Sequence, residues 1–414
     1  MSKAVIVGAG IAGLAAAAAV APYFEKVTIL DKDTLPEGPL PRKGVAQDLQ
    51  VHILLKGGEL ALEALMPGTR AALLAAGAVE VRQTEDVLIW ERDEWHARRD
   101  LGHSQLMMSR PAYEHVLRRQ VLTLGNVTIQ DRTPIQALPS EGRGLTVIAS
   151  GRGDQLLAGV DVPTTTLGIE VTYTSARFAK PERYRGEGRF IACIPKPPDD
   201  RYGLVCPVEN DEWLITLCSR FDNKVPTDLE GFRAYAAALP IPDIAERLGE
   251  AVPLGPLRSY RIANATWRHF ERASGLPPHV LPIGDCISSF NPTFGQGMSV
   301  AAGHALALHE ALAAVGADNL DGVAAAYLPR AAAVSEQAWA MAAMADLEYP
   351  LTAGDRPAGF DKMVLGSEAM RRAAEEHPEV HRLRFEIGNL VKPNSAARSG
   401  PAARLVAKEM MRRR

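Results

Sequence analysis

The chain has 414 residues, 47% of them hydrophobic and 23% charged, with a formal net charge of -3. That length and apolar fraction suffice for large cores in two or three domains, and the balanced charge gives no electrostatic case for nucleic acid, whose phosphates demand clustered basic residues. Four cysteines, Cys193, Cys206, Cys218 and Cys286, form no Cys-x-x-Cys pair and no zinc spacing. No metal site is expected, and the thiols read as reduced, buried side chains. No charged leader precedes the first strand and no apolar run approaches membrane-spanning length, so a cytoplasmic location without transmembrane segments is expected.

Ala4 to Val7 predicts a short buried strand, and Gly8, Gly10 and Gly13 follow it in Gly-x-Gly-x-x-Gly spacing. Gly8 permits a tight turn, Gly10 lets the backbone approach a pyrophosphate, and Gly13 lets the next helix pack closely on the strand. Ile11 and Ala12 open that helix, and the small residues Ala15 to Ala19 keep it near the sheet, with its N-terminus toward the anion. Val27 to Leu30 predicts a second strand ending at Asp31, followed by Lys32. Asp31 stands at the spacing of a carboxylate that hydrogen-bonds a ribose hydroxyl pair. This segment by itself does not separate NAD from FAD.

Val79 to Trp95 alternates like strands and is assigned to a substrate sheet. Pro111 to Leu124 predicts a helix with Pro in its first turn, and Val127 to Gln130 a strand returning to the first domain. Leu167 to Tyr173, Arg189 to Ile194, Tyr202 to Val208 and Trp213 to Cys218 are short runs divided by Pro, Gly, Asp and Asn signals. They predict a mostly antiparallel sheet roofing the cofactor. Among the aromatics Trp90, Trp95, Phe190, Trp213 and Phe290, a minority is expected to touch ligand.

Val280 to Ile283 predicts another strand, ended by Gly284 and Asp285. Pro292, Gly295 and Gly297 then precede a helix with Met298, Ala301, Ala302, Ala305, Leu308 and Leu312 at helical spacing. A ribityl chain and isoalloxazine could place Asp285 on the hydroxyls and this helix start near ring N1 and the C2 carbonyl, where negative charge develops on reduction. A simple nicotinamide domain has no need of this second site. After Ala313 the chain predicts Ala-rich helices broken by Pro329, Pro350, Pro378 and Pro393, and Arg404 to Arg414 reads as a solvated terminal helix rather than a membrane-surface one.

The glycine fingerprint with Asp31, SGRGD at Ser150 to Asp154, and GDCISSFNPTFGQGM at Gly284 to Met298 resemble the FAD-dependent class A monooxygenases, the fold of aromatic hydroxylases and squalene-type epoxidases. The resemblance covers most of the chain. Pro41 to Gly68, Ser109 to Val121 and DLEYP at Asp346 to Pro350 look most like the bacterial branch with polyether-pathway polyene epoxidases. The resemblance implies an α/β fold: a Rossmann-like FAD-binding domain (1–80, 104–165 and 270–345), an interleaved, mostly antiparallel substrate domain (81–103 and 166–269), and a C-terminal helical segment (346–414). Arg42 and Arg110 match arginines that approach FAD, Asp285 matches the ribityl-binding acid, and Gly295, Gln296, Gly297 and Met298 match the flavin-ring loop. His52, near Arg42 in sequence, is a candidate for facing flavin or substrate, with a structural histidine as the other reading.

The implied chemistry is oxygen transfer from a flavin C4a-hydroperoxide to an apolar alkene or aromatic small molecule, by epoxidation or hydroxylation in secondary metabolism. NADPH or NADH would be the reductant, or a reductase partner would serve. The family usually reads Asp-x-Ser-Gly where this chain has Ile148, Ala149, Ser150 and Gly151. A flavin dehydrogenase or double-bond reductase, and a non-catalytic flavin-binding partner, are therefore the alternatives. The Trp-x-Trp-x-Ile-Pro signature of the halogenase branch is absent.

Overall fold

The computed structural model describes residues 2–45, 47–138, 144–153, 155–221 and 224–412. The chain begins as β1 (Lys3–Val7), α1 (Ile11–Val20) and β2 (Lys26–Leu30), continues through α2 (Lys56–Leu65) and α3 (Thr69–Ala75), and turns into β3 (Val79–Gln83), β4 (Val87–Glu91), β5 (Glu94–Trp95) and β6 (His103–Met107). Next come α4 (Arg110–Val121), β7 (Val127–Gln130) and β8 (Gly144–Ile148). A fully parallel five-stranded sheet results, in the order β7, β2, β1, β8 and a later strand, with the chain leaving β7 at one edge and returning beside β1 on its other side.

The middle of the chain supplies β9 (Thr164–Ala179), β10 (Phe190–Ile194), β11 (Tyr202–Val208), β12 (Glu212–Arg220), α5 (Leu229–Ala237), α6 (Asp243–Glu250), β13 (Val252–Pro253) and β14 (Arg258–Arg268). Together with β4, β5 and a two-residue strand further on they form a nine-stranded sheet, antiparallel at every pairing except β10 with β4. The alternating stretch from Val79 to Trp95 divides: β4 and β5 join this sheet, whereas β3 pairs with β6 in a separate ribbon. Phe178 stacks on Phe232, so α5 covers one face of the sheet.

The last part holds β15 (Val280–Pro282), β16 (Ser288–Ser289), α7 (Gly297–Val315), α8 (Leu320–Leu347), α9 (Phe360–Glu376), α10 (Pro378–Gly388) and α11 (Gly400–Met411). β15 completes the parallel sheet beside β8, and β16 the antiparallel one beside β14. Pro329 does not break the chain as expected but lies inside α8. A proline removes one N–H donor and crowds the preceding turn, a cost that a long helix packed along α7 can absorb. Pro350 follows α8 and Pro378 starts α10, as their lack of an N–H favours. Of the C-terminal stretch, Arg413 and Arg414 lie outside the described residues, as does Asp154 of SGRGD.

The expectation about apolar runs also needs correction. α7 spans 19 residues with a mean hydropathy of 1.3, long and apolar enough to cross a membrane. It is a core helix instead, with Ala302, Ala305, Leu308, Ala311 and Leu312 buried between α1, α2 and α8. The four cysteines are buried and outside any disulfide among the described residues, and burial pushes the Cys193 and Cys218 thiols up to about 12.

Register aligns the C-terminal ends of the parallel strands: Leu30 lies beside Val7, Val7 beside Ile148, and Ile148 beside Pro282. Gly8, Asp31, Ala149 and Ile283 therefore leave the sheet along one edge, where open α/β sheets place ligands. Gly8 has φ +108°, and a Cβ on Gly13 would be driven into the Gly8 carbonyl oxygen. The turn and the helix it starts thus approach too closely for any other residue at position 13. Gly13→Ala is expected to destabilise the protein by about 1 to 3 kcal/mol or more, measured as a lowered urea midpoint; an unchanged midpoint would contradict this packing.

Candidate functional site: a cleft between two helix N-termini

A cleft of about 760 Å³ opens along that sheet edge and runs beneath the antiparallel sheet. α1 and α7 both begin in its wall, neither with a side-chain cap nor an acidic residue in its first turn. Their unpaired N–H groups and partial positive charges are thus available to anionic or carbonyl oxygens. The two starts are held together by contact and hydrogen bond. A Cβ on Gly284, whose φ is +64°, would lie 2.8 Å from the Ala12 Cβ, and the Gly284 N–H donates to His304 Nδ1 at 3.1 Å.

At one end of the cleft, Asp31 is 5% exposed. Its carboxylate accepts from the Ala9 N–H at 2.6 Å, the Asp33 N–H at 2.8 Å and Arg42 Nη1 at 3.0 Å. Arg42 also pairs with Asp33 at 3.3 Å and donates through Nε to Glu114 at 2.7 Å. Burial opposes its charge, but Glu114 and Asp31 outweigh burial and hold the guanidinium above its ordinary pKa. Arg42 and Arg110 both stand over Gly10: a Cβ there would meet their Nη2 atoms at 3.5 and 4.0 Å.

Arg110 forms an ion pair with Asp48 at 3.2 Å and bonds through Nη1 to His52 Nε2 at 3.2 Å. The second ring nitrogen of His52 bonds to the Gln50 carbonyl at 3.0 Å. With Arg110 as donor to Nε2, the proton of the neutral ring sits on Nδ1. Burial and the Arg110 charge hold the imidazole down to about 3, while burial pushes the Asp48 carboxyl up to about 6. His52 therefore lines the cleft as a neutral residue that steadies Arg110, with no free ring proton to deliver.

At the other end, Asp285 is paired with Arg152 at 3.5 Å. Gly295 adopts φ +63° against Ile53, and Gln296 is 3% exposed with its Oε1 lacking a hydrogen-bond partner among the described residues. A buried amide oxygen without a partner is costly, and a ligand N–H would relieve it. Tyr173 and Tyr260, cross-strand partners on β9 and β14 with ring centroids 5.8 Å apart, close the roof together with Ile262 and Phe290.

Of the residues expected at the site, Gly8, Gly10, Ile11, Ala12, Asp31, Lys32, Arg42, Arg110, Asp285, Pro292, Gly295, Gln296, Gly297, Met298 and His52 all line this one cleft. Gly13 and Gly284 lie behind its wall as packing positions. Trp90, Phe190 and Trp213 are core residues, Trp95 is exposed, and Phe290 alone of the five named aromatics reaches the cleft. Sequence reading missed Asp33, Asp48 and Glu114 around the arginines, Arg152, the Tyr173 and Tyr260 pair, and Asn291. Arg152 sat inside the quoted SGRGD, so a signal existed; the tyrosines meet through a pairing of distant strands and gave none. Long, flat, with arginines and a helix start at one end and a helix start with an unpartnered amide at the other, the cleft fits a dinucleotide carrying a flavin ring.

No family model matches the chain. Protein Rv3254 of Mycobacterium tuberculosis is 31% identical over 411 residues, covering 88% of this chain and 86% of that protein. Among solved structures, a flavoprotein/dehydrogenase from Cytophaga hutchinsonii has a TM-score of 0.71 at 16% identity, and the flavin-dependent brominase Bmp2 a TM-score of 0.70 at 14% identity; each covers 100% of both chains. A 2-methyl-3-hydroxypyridine-5-carboxylic acid oxygenase has a TM-score of 0.64 at 18% identity, over 83% of this chain and 90% of that one. At these identities the likeness establishes the fold, that of FAD-binding flavoproteins of the aromatic-hydroxylase type.

His304, fully buried on α7, ties the Gly284 turn to α8: Nδ1 accepts from Gly284, and Nε2 bonds to Ser335 Oγ at 3.0 Å. Burial holds its imidazole down to about 3, against about 6.5 in an unfolded chain. Between those values only the unfolded state binds the proton, so this contribution to stability is present above about pH 6.5 and lost as pH falls. Urea unfolding from pH 7.5 to 5 should show wild type losing stability more steeply than His304→Gln, by up to about 1.4 kcal/mol per pH unit. Parallel curves would place the acid sensitivity elsewhere.

Proposed function

We propose that this chain, which belongs to the family of Mycobacterium tuberculosis protein Rv3254, is an FAD-dependent monooxygenase that adds one oxygen atom to an apolar alkene or aromatic small molecule. The observation that carries the reading is the convergence of two uncapped helix N-termini on one cleft, with Asp31 and Asp285 both in its wall. When bound, FAD supplies the oxygen activation and the redox chemistry. Asp31 would accept from the adenosine ribose, Arg42, Arg110 and the α1 N-terminus would hold the pyrophosphate, and Asp285 would accept from the ribityl hydroxyls. The start of α7 and Gln296 would meet the ring.

The chain's own residues then have two tasks. The α7 N-terminus favours negative charge at the ring and so eases its reduction. The apolar roof of Tyr173, Tyr260, Ile262 and Phe290 keeps water from the reacting face and orients an apolar substrate there. The polyene-epoxidase branch, with NADPH or NADH as reductant, is the finer form of the proposal.

One observation favours a second reading, a flavin-dependent dehydrogenase or double-bond reductase. Ile148 is fully buried in the apolar core at the end of β8, where the resembling family carries an acid. Rapid anaerobic reduction of wild type by NADPH or NADH in a stopped-flow instrument is the outcome expected of the monooxygenase; slow reduction by both, with rapid reduction by substrate, would favour the dehydrogenase. Restoring the acid by Ile148→Asp would bury an unpaired carboxylate, so that variant is expected to lose several kcal/mol of stability before any effect on reduction can be read.

Purified protein is expected to show flavin absorbance and substrate-coupled oxygen uptake. A refolded sample that takes up NAD but no flavin would refute the reading. Asp31→Ala leaves Arg42 paired with Asp33 and Glu114, so the fold should survive. Its FAD affinity should fall by on the order of 1.5 to 3 kcal/mol, the worth of a charged hydrogen bond, as measured by fluorescence titration; wild-type affinity would remove Asp31 from the site.

A further inference from the structure

Behind the cleft wall, a buried ion pair touches the loop that starts α7. Arg220 ends β12 and is 3% exposed; Asp346, one residue before the end of α8, is fully buried. Arg220 Nη1 donates to Asp346 Oδ1 at 2.7 Å, and Asn291 Nδ2 donates to the same oxygen at 2.6 Å. Arg220 lies over the Tyr349 ring, 4.2 Å from its centroid, and Thr352 Oγ1 donates to the Asp346 carbonyl at 2.7 Å. Asn291 Oδ1 accepts from the Thr293 N–H at 3.1 Å and from Thr293 Oγ1 at 2.7 Å. The Tyr202 hydroxyl of β11 also bonds to Thr293 Oγ1.

A buried ion pair is seldom the most stable filling of its space, and an apolar pair of similar volume is often as good or better. Its presence here is better explained by what it orders. Asn291 lies in the cleft wall, and the turn Pro292–Phe294 that follows leads through Gly295 and Gln296 into α7. We propose that Asp346 and Arg220 are positioning residues for this segment: the carboxylate fixes Asn291, Asn291 fixes the turn, and the turn aims the α7 N-terminus and Gln296 at the bound ligand. The proposal rests on the flavin reading for the identity of that ligand. Because Arg220 comes from the antiparallel sheet and Asp346 from α8, the segment takes its position from elements outside the parallel-sheet core.

The test compares wild type with the double variant Arg220→Met/Asp346→Leu, which removes both charges and keeps the volume filled. A control, Glu368→Gln, disturbs an ion pair with Arg371 and Arg372 outside the cleft. Hydrogen exchange of the flavin-free proteins should rise about tenfold in peptides covering residues 288–300 of the double variant, with the middle of α8 still protected and the control unchanged. FAD should then bind the double variant about tenfold more weakly, with a broadened visible spectrum and a shifted reduction potential. Wild-type exchange in residues 288–300 overturns the proposal whatever ligand the cleft takes. Loosened exchange with an unaltered flavin spectrum and affinity also overturns it, because the pair would then be structural only. Should the double variant not fold, Asn291→Ala, which leaves the ion pair intact, carries the same expectations. A wild type that takes no flavin refutes the functional reading, and the exchange measurement then decides this proposal alone.

Discussion

Each helix in this protein must satisfy its first N–H groups, and at α1 and α7 no side chain does so. The constraint that follows organises the rest of the molecule. Both helices start at the C-terminal edge of one parallel sheet, one after β1 and the other after β15 and its turn, so their free donors and partial charges point into the same space. Close packing makes the convergence possible. Gly13 lets α1 press on the Gly8 turn, Gly284 lets the second turn press on Ala12, and α7 packs along the alanine-rich α1.

Charge in the cleft is balanced in pieces. Three carboxylates surround Arg42, Asp48 faces Arg110, and Asp285 faces Arg152. An uncompensated guanidinium so little exposed would be strongly penalised, and these pairings keep it charged and directed over the glycine turn. The far end of the cleft is different in kind: residues of β9 and β14 make its roof, and beside the Asp285–Arg152 pair the hydrogen bonds of Asn291 and Thr293 shape its floor. A ligand that is polar and anionic at one end and flat and largely apolar at the other matches this gradient.

The places where sequence patterns misled share a cause. Pro329 sits in a helix because packing along α7 outweighs a local cost that a single sequence window registers as a stop. No apolar run of membrane-spanning length was expected, yet α7 is one, because a helix buried on several sides in a protein core has the same composition.

The sequence by itself determined the parallel strand, turn and helix units at both ends of the site, because glycine spacing, a terminal acid and apolar period are local signals that a few consecutive residues carry. Asp31, Asp285 and the Gly295 to Met298 segment were legible for that reason, whereas Arg42 and Arg110 were pointed to only by the family resemblance. In the antiparallel sheet β10, β11 and β12 were legible from Gly, Pro and Asp punctuation, whereas β9 runs well beyond the expected Leu167 to Tyr173 and β14 was not anticipated. Only the tertiary structure decided which strands pair, and so which side chains meet. It put Tyr173 against Tyr260, gave Arg42 the carboxylates of Asp31 and Asp33 after β2 and of Glu114 on α4, turned His52 into a neutral support for Arg110, and brought Asp346 behind Asn291. Such contacts join residues far apart in the chain, and the free energy that selects them comes from burying whole faces of sheet and helix, a quantity no short stretch of sequence contains.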